Sequence, residues 1–194
     1  MKRLFLGIEL PDTVRQAAVR IRDRIRPYIE KARWVLPENY HLTVKFLGNT
    51  PDDRVQTIHT TMTSICSRYH TFELELKGLG AFPDWRRPRV LWIGVERVST
   101  LWDLATEVES AMTELGYPAE NRPYAPHLTL ARVKYTRRPV LEKMLEREKA
   151  VFEQRIGTFT VAYITLFESR LHPSGAVYSV IERYLFTPSR TPSQ

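Results

Sequence analysis

The sequence contains only one cysteine, Cys66, in 194 residues. A single cysteine excludes an intramolecular disulfide and any zinc site built from cysteine ligands. Such sparing use of cysteine is typical of a reducing compartment. Apolar runs are short as well, and none approaches the roughly 20 residues of a membrane-spanning helix. Because the first ten residues are too short and too interrupted for a signal peptide, we expect a cytoplasmic protein without membrane association.

Acidic residues are fewer than basic ones, with 22 Asp and Glu against 29 Lys and Arg, so the formal net charge is +7. A positive surface raises the local concentration of anionic partners such as nucleic acid, nucleotides or acidic membranes. Many basic proteins have no such role, and the charge alone does not select among these readings. The hydrophobic content of 43% is that of an ordinary globular domain.

Two short segments of the chain resemble each other. Residues 41–47 read His-Leu-Thr-Val-Lys-Phe-Leu, and residues 127–132 read His-Leu-Thr-Leu-Ala-Arg. Both alternate polar with apolar residues, which indicates half-buried strands. Since side chains two positions apart on a strand share a face, each strand presents one imidazole and one hydroxyl to one surface. The four side chains are His41, Thr43, His127 and Thr129.

Hydrophobic periodicity predicts an alternation of helices and strands around these motifs. Three helices are predicted to be N-capped by Asp12, by Asp52 or Asp53, and by Ser99, and the first is expected to end or kink at Pro27 and the third to end at Gly116. A fourth helix is predicted from Val140 to Phe152. Further strands are predicted over residues 4–10, from 34, and over 72–76, 90–95, 159–167 and 177–186. Gly78, Gly80 and Pro83 are expected to end the strand that begins at Phe72, and residues 173–175 to form a turn.

The two motifs begin 86 residues apart, and other landmarks keep nearly this offset. At an offset of 87, Gly7 matches Gly94, Phe72 matches Phe159, and Val90 matches Val177. This offset predicts a duplicated chain of two related α/β lobes, each with a partly antiparallel sheet, within one domain of residues 1–186. Packing about a pseudo-two-fold axis would bring both motifs to one cleft. Residues 187–194 lack periodicity and are expected to form a loose tail.

Two imidazoles facing each other across a cleft can perform general acid–base catalysis. The neutral ring accepts a proton and the charged ring donates one, since the ordinary histidine pKa of about 6.5 suits both tasks. Two neighbouring hydroxyl groups can bind the oxygens of one phosphate, and no metal or other cofactor is needed. A zinc site at His41 and His127 would need a third ligand, which neither strand indicates. A single His-x-Thr is more often structural, but two copies at equivalent positions favour function.

Further candidate substrate contacts flank the motifs. Strict alternation places Lys45 on the face of His41, where it would add positive charge near the phosphate. Tyr124 precedes the second motif and is a candidate to stack on a base or to bind the phosphate. Alternation places Arg132 on the opposite face from His127, unless the strand bulges or ends before it. The basic loop 84–89, which contains Trp85, is a candidate RNA contact or a plain solvated loop.

The paired motifs resemble the double His-x-Thr-x signature of the 2H phosphoesterase superfamily. The flanking residues resemble its LigT-like branch of RNA 2′,3′-cyclic phosphodiesterases, historically called 2′–5′ RNA ligases. The matching features are Arg3-Leu4-Phe5-Leu6-Gly7-Ile8 with Leu10-Pro11, His-Leu-Thr-x-x-Phe-Leu-Gly at residues 41–48, and Asn121-Arg122-Pro123-Tyr124 before Pro126-His127. The resemblance covers nearly the whole chain up to the tail.

This resemblance implies an α+β fold that is bilobal and duplicated, with two partly antiparallel sheets and flanking helices around a central cleft. It implies a hydrolase that converts RNA 2′,3′-cyclic phosphate ends to 2′-phosphomonoesters. We expect a monomer without a cofactor, acting on substrates such as tRNA fragments or nucleotides. His41 would be the proton donor and His127 the proton acceptor, while Thr43 and Thr129 would bind the phosphate. The near-symmetric site itself does not identify the acid. The alternatives are 2′–5′ RNA ligation at the same site and a non-catalytic RNA- or nucleotide-binding protein.

Overall fold

The computed structural model describes residues 1–172 and 175–189. These residues form the helices α1 (Asp12–Ile25), α2 (Val55–Cys66), α3 (Ser99–Glu114) and α4 (Arg138–Arg147). The strands are β1 (Lys2–Glu9), β2 (Lys31–Trp34), β3 (His41–Thr50), β4 (Phe72–Phe82), β5 (Val90–Val95), β6 (His127–Tyr135), β7 (Arg155–Val161), β8 (Tyr163–His172) and β9 (Gly175–Leu185). None of the helices in these ranges is long and apolar enough to cross a membrane.

The strands form one antiparallel sheet in the order β7-β4-β5-β6-β3-β1-β8-β9, and β2 pairs with the outer part of β6. The two motif strands, β3 and β6, lie at its centre and pair only at Leu42 and Leu128. On either side of this pair the strands diverge, so that the sheet divides into two four-stranded halves. The α+β class is confirmed, and the two predicted sheets are the halves of one curled sheet.

The predicted strand over residues 159–167 is wrong, because two strands share this run. β7 pairs with β4 in one half of the sheet, whereas β8 pairs with β1 in the other half. The chain therefore crosses between the halves at Ala162. The largely apolar run gives no sign of such a crossing, since residues of both strands are buried: Phe159 and Val161 in β7 and residues 164–167 in β8.

Helix positions follow the apolar periodicity, but the predicted caps are partly wrong. Asp12 and Ser99 lie inside α1 and α3, and neither helix has a side-chain cap. Asp12 instead pairs with Arg15 on the next turn. The predicted end of α3 is confirmed: Gly116 has φ +86°, and its N–H donates to the Thr113 carbonyl at 2.9 Å. The predicted fourth helix is shorter, and a 3₁₀ turn follows α4 at Lys149–Phe152.

Strand β4 continues to Phe82 through both glycines that were expected to end it. Gly78 has φ +72° and lies at a register shift against β5, so it forms a bulge rather than an end. Gly80 leaves room for the indole of Trp92, because a Cβ atom at this position would lie 2.2 Å from that ring. The glycines thus fit the strand closely against its neighbours.

Two peripheral segments also differ from expectation. β2 begins at Lys31, three residues before the predicted start at Trp34, and it ends at Trp34. The first residues of the predicted loose tail are hydrogen-bonded, since Thr187 N–H donates to the Tyr69 carbonyl at 2.9 Å. Residues 190–194 lie outside the described residues, as do residues 173 and 174 of the predicted turn between β8 and β9.

The strand pairing gives a residue offset between the two halves that differs slightly from the offset predicted from the landmarks. Ile8 of β1 pairs with Leu42, and Ile93 of β5 pairs with Leu128. These equivalent positions are 85 residues apart, so the landmark match of Gly7 with Gly94 is two residues out of register.

Candidate active site

The single pair of Leu42 and Leu128 organises the centre of the cleft. These leucines are 0% and 1% exposed and face the core. Because the strands are antiparallel, the residues flanking the pair meet crosswise on the opposite face. His41 lies on the side of Thr129, and Thr43 on the side of His127. The four half-buried side chains therefore occupy the corners of a quadrilateral, with the histidines on one diagonal and the threonines on the other.

A bulge follows the motif in both strands. Thr43 pairs with Gly7 and Lys45 with Leu6, so Val44 is the extra residue in β3. Leu130 is the extra residue in β6, because Thr129 pairs with Trp92 and Ala131 with Leu91. A bulge reverses the alternation of the residues beyond it. Residues 44–45 and 130–131 are accordingly buried in succession, and Phe46 and Arg132 return to the cleft face.

The bulge in β3 corrects the predicted orientation of Lys45. Its side chain leaves the face of His41 and Thr43, and the residue is 5% exposed, although it still borders the cavity that contains Thr43 and His127. The ammonium group donates to Glu109 Oε1 at 2.8 Å and to the Pro118 carbonyl at 2.7 Å. It therefore links β3 to α3 and to the loop before the second motif. The equivalent bulge in β6 places the Arg132 side chain on the face of Thr129, which alternation alone did not predict.

Backbone contacts orient the two imidazoles in the same way. His41 Nδ1 lies 2.8 Å from the Asn39 carbonyl, and His127 Nδ1 lies 2.7 Å from the Ala125 carbonyl. A carbonyl oxygen can only accept, so each Nδ1 carries a hydrogen and each Nε2 is left for proton transfer. His41 Nε2 lies 3.1 Å from Thr43 Oγ1. The acceptor in each case belongs to the residue two positions before the histidine.

Aromatic rings hold each imidazole in place. The His41 ring lies 4.7 Å from Phe5 and meets Tyr178 edge-on at 5.1 Å. The His127 ring meets Phe82 edge-on at 5.0 Å and lies 6.2 Å from Trp92. Sequence reasoning did not identify Phe5, Tyr178 or Phe82 as site residues. Their rings reach the site from strands whose pairing the sequence does not reveal.

Burial lowers the pKa of both histidines below the ordinary value. For His41 the hydrogen bond with Asn39 raises the pKa in part, and a positive charge on His127 lowers it further. For His127 the Ala125 carbonyl raises the pKa in part, while Arg132 lowers it. Each imidazole thus disfavours a proton on the other, and the pair is suited to hold one proton between them.

Cavities open on both sides of the motif residues. One of about 820 Å³ lies on the side of His127 and is lined by Thr43, Phe82, Arg89, Arg122, Tyr124 and His127, among others. Another, of about 300 Å³, lies beside His41, lined by Arg3, Phe5, Arg33, Phe46, Arg132, Tyr178 and neighbours. Phe46 borders both. The larger cavity contains Thr43 and His127, whereas the smaller one adjoins His41 only through its neighbours Phe5, Asn39 and Tyr178.

Tyr124 and Trp85 differ in how they approach the larger cavity. The Tyr124 hydroxyl donates to the Thr43 carbonyl at 3.2 Å, so it ties its loop to the motif strand while its ring lines the cavity. Trp85 is half-buried and meets Phe152 edge-on at 5.3 Å. Its loop reaches the cavity through Arg89 instead. Among the described residues, no group of three His, Cys, Asp or Glu side chains could hold a metal ion.

Comparison with known proteins gives consistent matches over nearly the whole chain. A family model described as LigT like phosphoesterase matches twice, over residues 8–92 and 93–178. The RNA 2′,3′-cyclic phosphodiesterase of Methanothermobacter thermautotrophicus is 32% identical over 180 residues, which cover 93% of this chain and 96% of the relative. The crystal structure of TT0787 of Thermus thermophilus has a TM-score of 0.81 at 28% identity and covers 97% of this chain and 100% of its own. E. coli LigT, crystallised with 3′-AMP, has a TM-score of 0.78 at 27% identity, with coverage of 96% and 98%.

Proposed function

The chain belongs to the LigT-like phosphoesterase family, and on this basis we propose that it hydrolyses RNA 2′,3′-cyclic phosphate ends to 2′-phosphomonoesters. The activity named for its relatives supports this substrate class. The observation that carries the proposal is the quadrilateral of His41, Thr43, His127 and Thr129, in which both Nε2 atoms are left for proton transfer. One imidazole can then act on each side of a single phosphorus atom.

The proposed reaction is an in-line displacement at phosphorus. His127 Nε2 accepts a proton as a water molecule attacks, and a P–O bond forms to the water oxygen. The bond from phosphorus to the ribose 3′-oxygen breaks, and His41 Nε2 donates its proton to that oxygen. The phosphate stays on the 2′-oxygen, and exchange of protons with solvent restores the starting charges. The diagonal arrangement of the histidines suits this geometry, because attack and departure occur on opposite sides of phosphorus.

The hydroxyl groups of Thr43 and Thr129 bind the non-bridging phosphate oxygens in this account, and their hydrogen bonds strengthen as charge develops. Arg132 adds a guanidinium from the same face. It forms no ion pair with any of the residues that the structure describes, so its charge is available to a phosphate. Tyr124 acts as a positioning residue, because its hydroxyl holds the Thr43 carbonyl. Lys45 supports the site from behind β3.

The same site can open the cyclic phosphate with a different nucleophile, and one observation favours keeping 2′–5′ RNA ligation as a second candidate. The cavity beside His127 has a volume of about 820 Å³ and is lined by Arg89 and Arg122. This space exceeds what a water molecule needs and has room for a second nucleotide whose 5′-hydroxyl would replace the water, with Glu109 and Glu120 also among the lining residues. Ligation is tested by adding a 5′-hydroxyl RNA to the cyclic-ended RNA and analysing the products for a longer strand.

We also propose that the described chain works as one bilobal domain made of two repeats, since two successive family matches and the mirrored strand order of the two sheet halves support that organisation. We propose a monomer that acts on RNA ends in the cytoplasm. Sedimentation analysis of the protein alone would test the monomeric state.

Replacement of each motif histidine tests the mechanism. His41→Ala and His127→Ala should each reduce turnover of a cyclic-ended RNA by about 10²–10⁴-fold, because each removes one proton-transfer step. RNA affinity should change little, which separates catalysis from simple binding. His59→Ala is the matched control, since His59 lies on α2 beside Glu182 and Tyr184 and lines neither cavity at the motifs. Full turnover in either motif variant would contradict the two-histidine mechanism, and loss of wild-type activity in EDTA would contradict metal independence.

A further inference from the structure

The cavity beside His41 is strongly basic. Arg3, Arg33 and Arg132 line it, and no Asp or Glu side chain is among its lining residues. Its walls are aromatic and apolar, with Phe5 and Tyr178 shared with the His41 packing. An anion that enters this cavity would meet three guanidinium groups and no opposing carboxylate.

Arg33 and Arg132 repel each other without such an anion, by an amount that solvent reduces because both residues are exposed. They are directly paired across β2 and β6, so their side chains are neighbours on one face of the sheet. Like charges directly opposite each other on paired strands are unfavourable. The start of β9 lies against the Arg33 guanidinium, because a Cβ atom on Gly175 would lie 3.5 Å from Arg33 Nη2. Two positive groups are therefore held together where the sheet borders the cavity.

These three arginines have no carboxylate partner among the described residues, unlike half of the other arginines there. Nine arginines elsewhere form ion pairs with Asp or Glu, namely residues 15, 22, 24, 68, 137, 138, 155, 170 and 183. Within residues 1–172 and 175–189, neither Arg3 nor Arg33 nor Arg132 forms one. Cationic groups that are gathered in a cavity and left without carboxylate partners are typical of phosphate recognition.

Tyr178 connects this cavity to the catalytic centre. Burial raises the pKa of the Tyr178 hydroxyl, and the positive charges of Arg132 and Arg3 lower it in part. Both guanidinium groups therefore act on the hydroxyl from nearby. The ring of the same tyrosine meets the His41 imidazole edge-on at 5.1 Å. A group in the cavity is thus separated from the proposed acid by one aromatic side chain.

We propose that this cavity binds a second phosphate, the one on the 5′-oxygen of the nucleotide that carries the cyclic phosphate. The proposal rests on the function proposed above. If His41 protonates the departing 3′-oxygen, the ribose lies on the His41 side, and its 5′-phosphate extends away from the motifs toward Arg3 and Arg33. Arg132 lies between the reacting phosphate and this second one. The enzyme would thereby distinguish a polynucleotide end from a free cyclic nucleoside.

Three substrates isolate the contribution of one phosphate group. They are adenosine 2′,3′-cyclic phosphate, the same compound with a 5′-phosphate, and the dinucleotide ApA with a 2′,3′-cyclic end. Hydrogen bonds to charged groups contribute enough to change kcat/KM by about tenfold or more for each phosphate contact. The wild-type enzyme should therefore prefer both phosphate-bearing substrates by at least about tenfold over the nucleoside. The advantage should decline as the salt concentration rises.

Arg33→Gln and Arg3→Gln test the assignment by changing this ratio. Each should reduce the preference for the phosphate-bearing substrates by about tenfold, mainly through KM. Arg20→Gln is the matched control. Arg20 is exposed on α1, so its substitution removes the same charge at a site away from the cavity. A preference that is absent in the wild type, or unchanged in both variants, would overturn the second-phosphate site. Equal losses on all three substrates would also overturn it, by assigning the arginines to the reacting phosphate. Failure of the wild type on every substrate would instead refute the proposed function.

Discussion

Replacing Lys45 with methionine separates a structural role of this lysine from a substrate contact. The side chain is 4% exposed, and its ammonium group donates to Glu109 Oε1 at 2.8 Å and to the Pro118 carbonyl at 2.7 Å. Methionine retains most of the apolar stem but no donor. The change therefore removes two hydrogen bonds that join β3, α3 and the loop leading to His127.

The size of the effect follows from what the two acceptors lose. Glu109 still accepts the N–H of Glu120 at 2.8 Å and is 31% exposed, so water can replace part of its lost contact. The Pro118 carbonyl loses a charged donor, and an unsatisfied buried acceptor costs about 1–3 kcal/mol. Methionine in turn avoids the burial of an ammonium group. We expect Lys45→Met to lower the free energy of unfolding by about 2–3 kcal/mol, which corresponds to a fall in Tm of roughly 4–12 °C.

Urea unfolding followed by circular dichroism measures the stability, and kcat/KM on a cyclic nucleotide measures the site. Lys143→Met is the control. Lys143 is exposed on α4, so this variant should unfold at the same urea concentration as the wild type. We expect kcat/KM of Lys45→Met to stay within about threefold of the wild type at a temperature where the variant is folded, because a 1.4 kcal/mol difference at the site would already be tenfold. Unchanged stability with a KM raised tenfold or more would refute the reasoning and assign the ammonium to the substrate.

Three further predictions concern the site and its supports. Burial lowers the pKa of His41 and His127 below 6.5, and the proposed mechanism requires a charged His41 and a neutral His127. The pH profile of kcat/KM should therefore be bell-shaped with its maximum below about pH 6.5 and should fall as His41 loses its proton, whereas a rise from pH 6 to pH 8 would contradict this. Thr129→Val should reduce kcat by about 10²-fold, because it removes a donor to the phosphate, and Thr129→Ser should retain most of the activity in the same assay. Gly80→Ala should destabilise the fold by about 1–3 kcal/mol in urea unfolding, because its Cβ atom would meet the Trp92 ring that packs against His127. Wild-type stability of this variant would contradict the close contact between Gly80 and Trp92.

The sequence was sufficient to predict the two motif strands, the four helices and the meeting of the motifs. These features depend on local periodicity and on a repeated pattern, both of which are visible in one chain. The catalytic roles of His41, Thr43, His127 and Thr129 rest on that pattern and on the family, and they stay predictions until the variants are measured.

The faces of Lys45 and Arg132 were not predictable from alternation. Each depends on a bulge, and a bulge is defined by the partner strand rather than by the strand that contains it. In β3 the bulge lies beside Gly7 of β1, and in β6 it lies beside Trp92 of β5. The two side chains therefore lie on the faces opposite to those predicted by alternation. Lys45 supports the fold, whereas Arg132 enters the cleft.

Long-range pairing limited the remaining predictions in the same way. The run over residues 159–167 serves both halves of the sheet, and Tyr178 reaches His41 from a hairpin far along the chain. Periodicity identifies which residues of a strand share a face, but it does not identify the neighbouring strand. The basic cavity beside His41 was invisible for this reason, since its arginines come from β1, β2 and β6.

The position of the phosphate in the product tests the proposed mechanism most directly. An RNA with a 2′,3′-cyclic phosphate end is incubated with the enzyme in EDTA, and the terminal nucleotide is analysed by phosphorus NMR. If His41 protonates the departing 3′-oxygen, the product carries a 2′-phosphate and a free 3′-hydroxyl group. A 3′-phosphate product would contradict the assigned polarity of the two histidines, and an unreacted cyclic end would contradict hydrolysis.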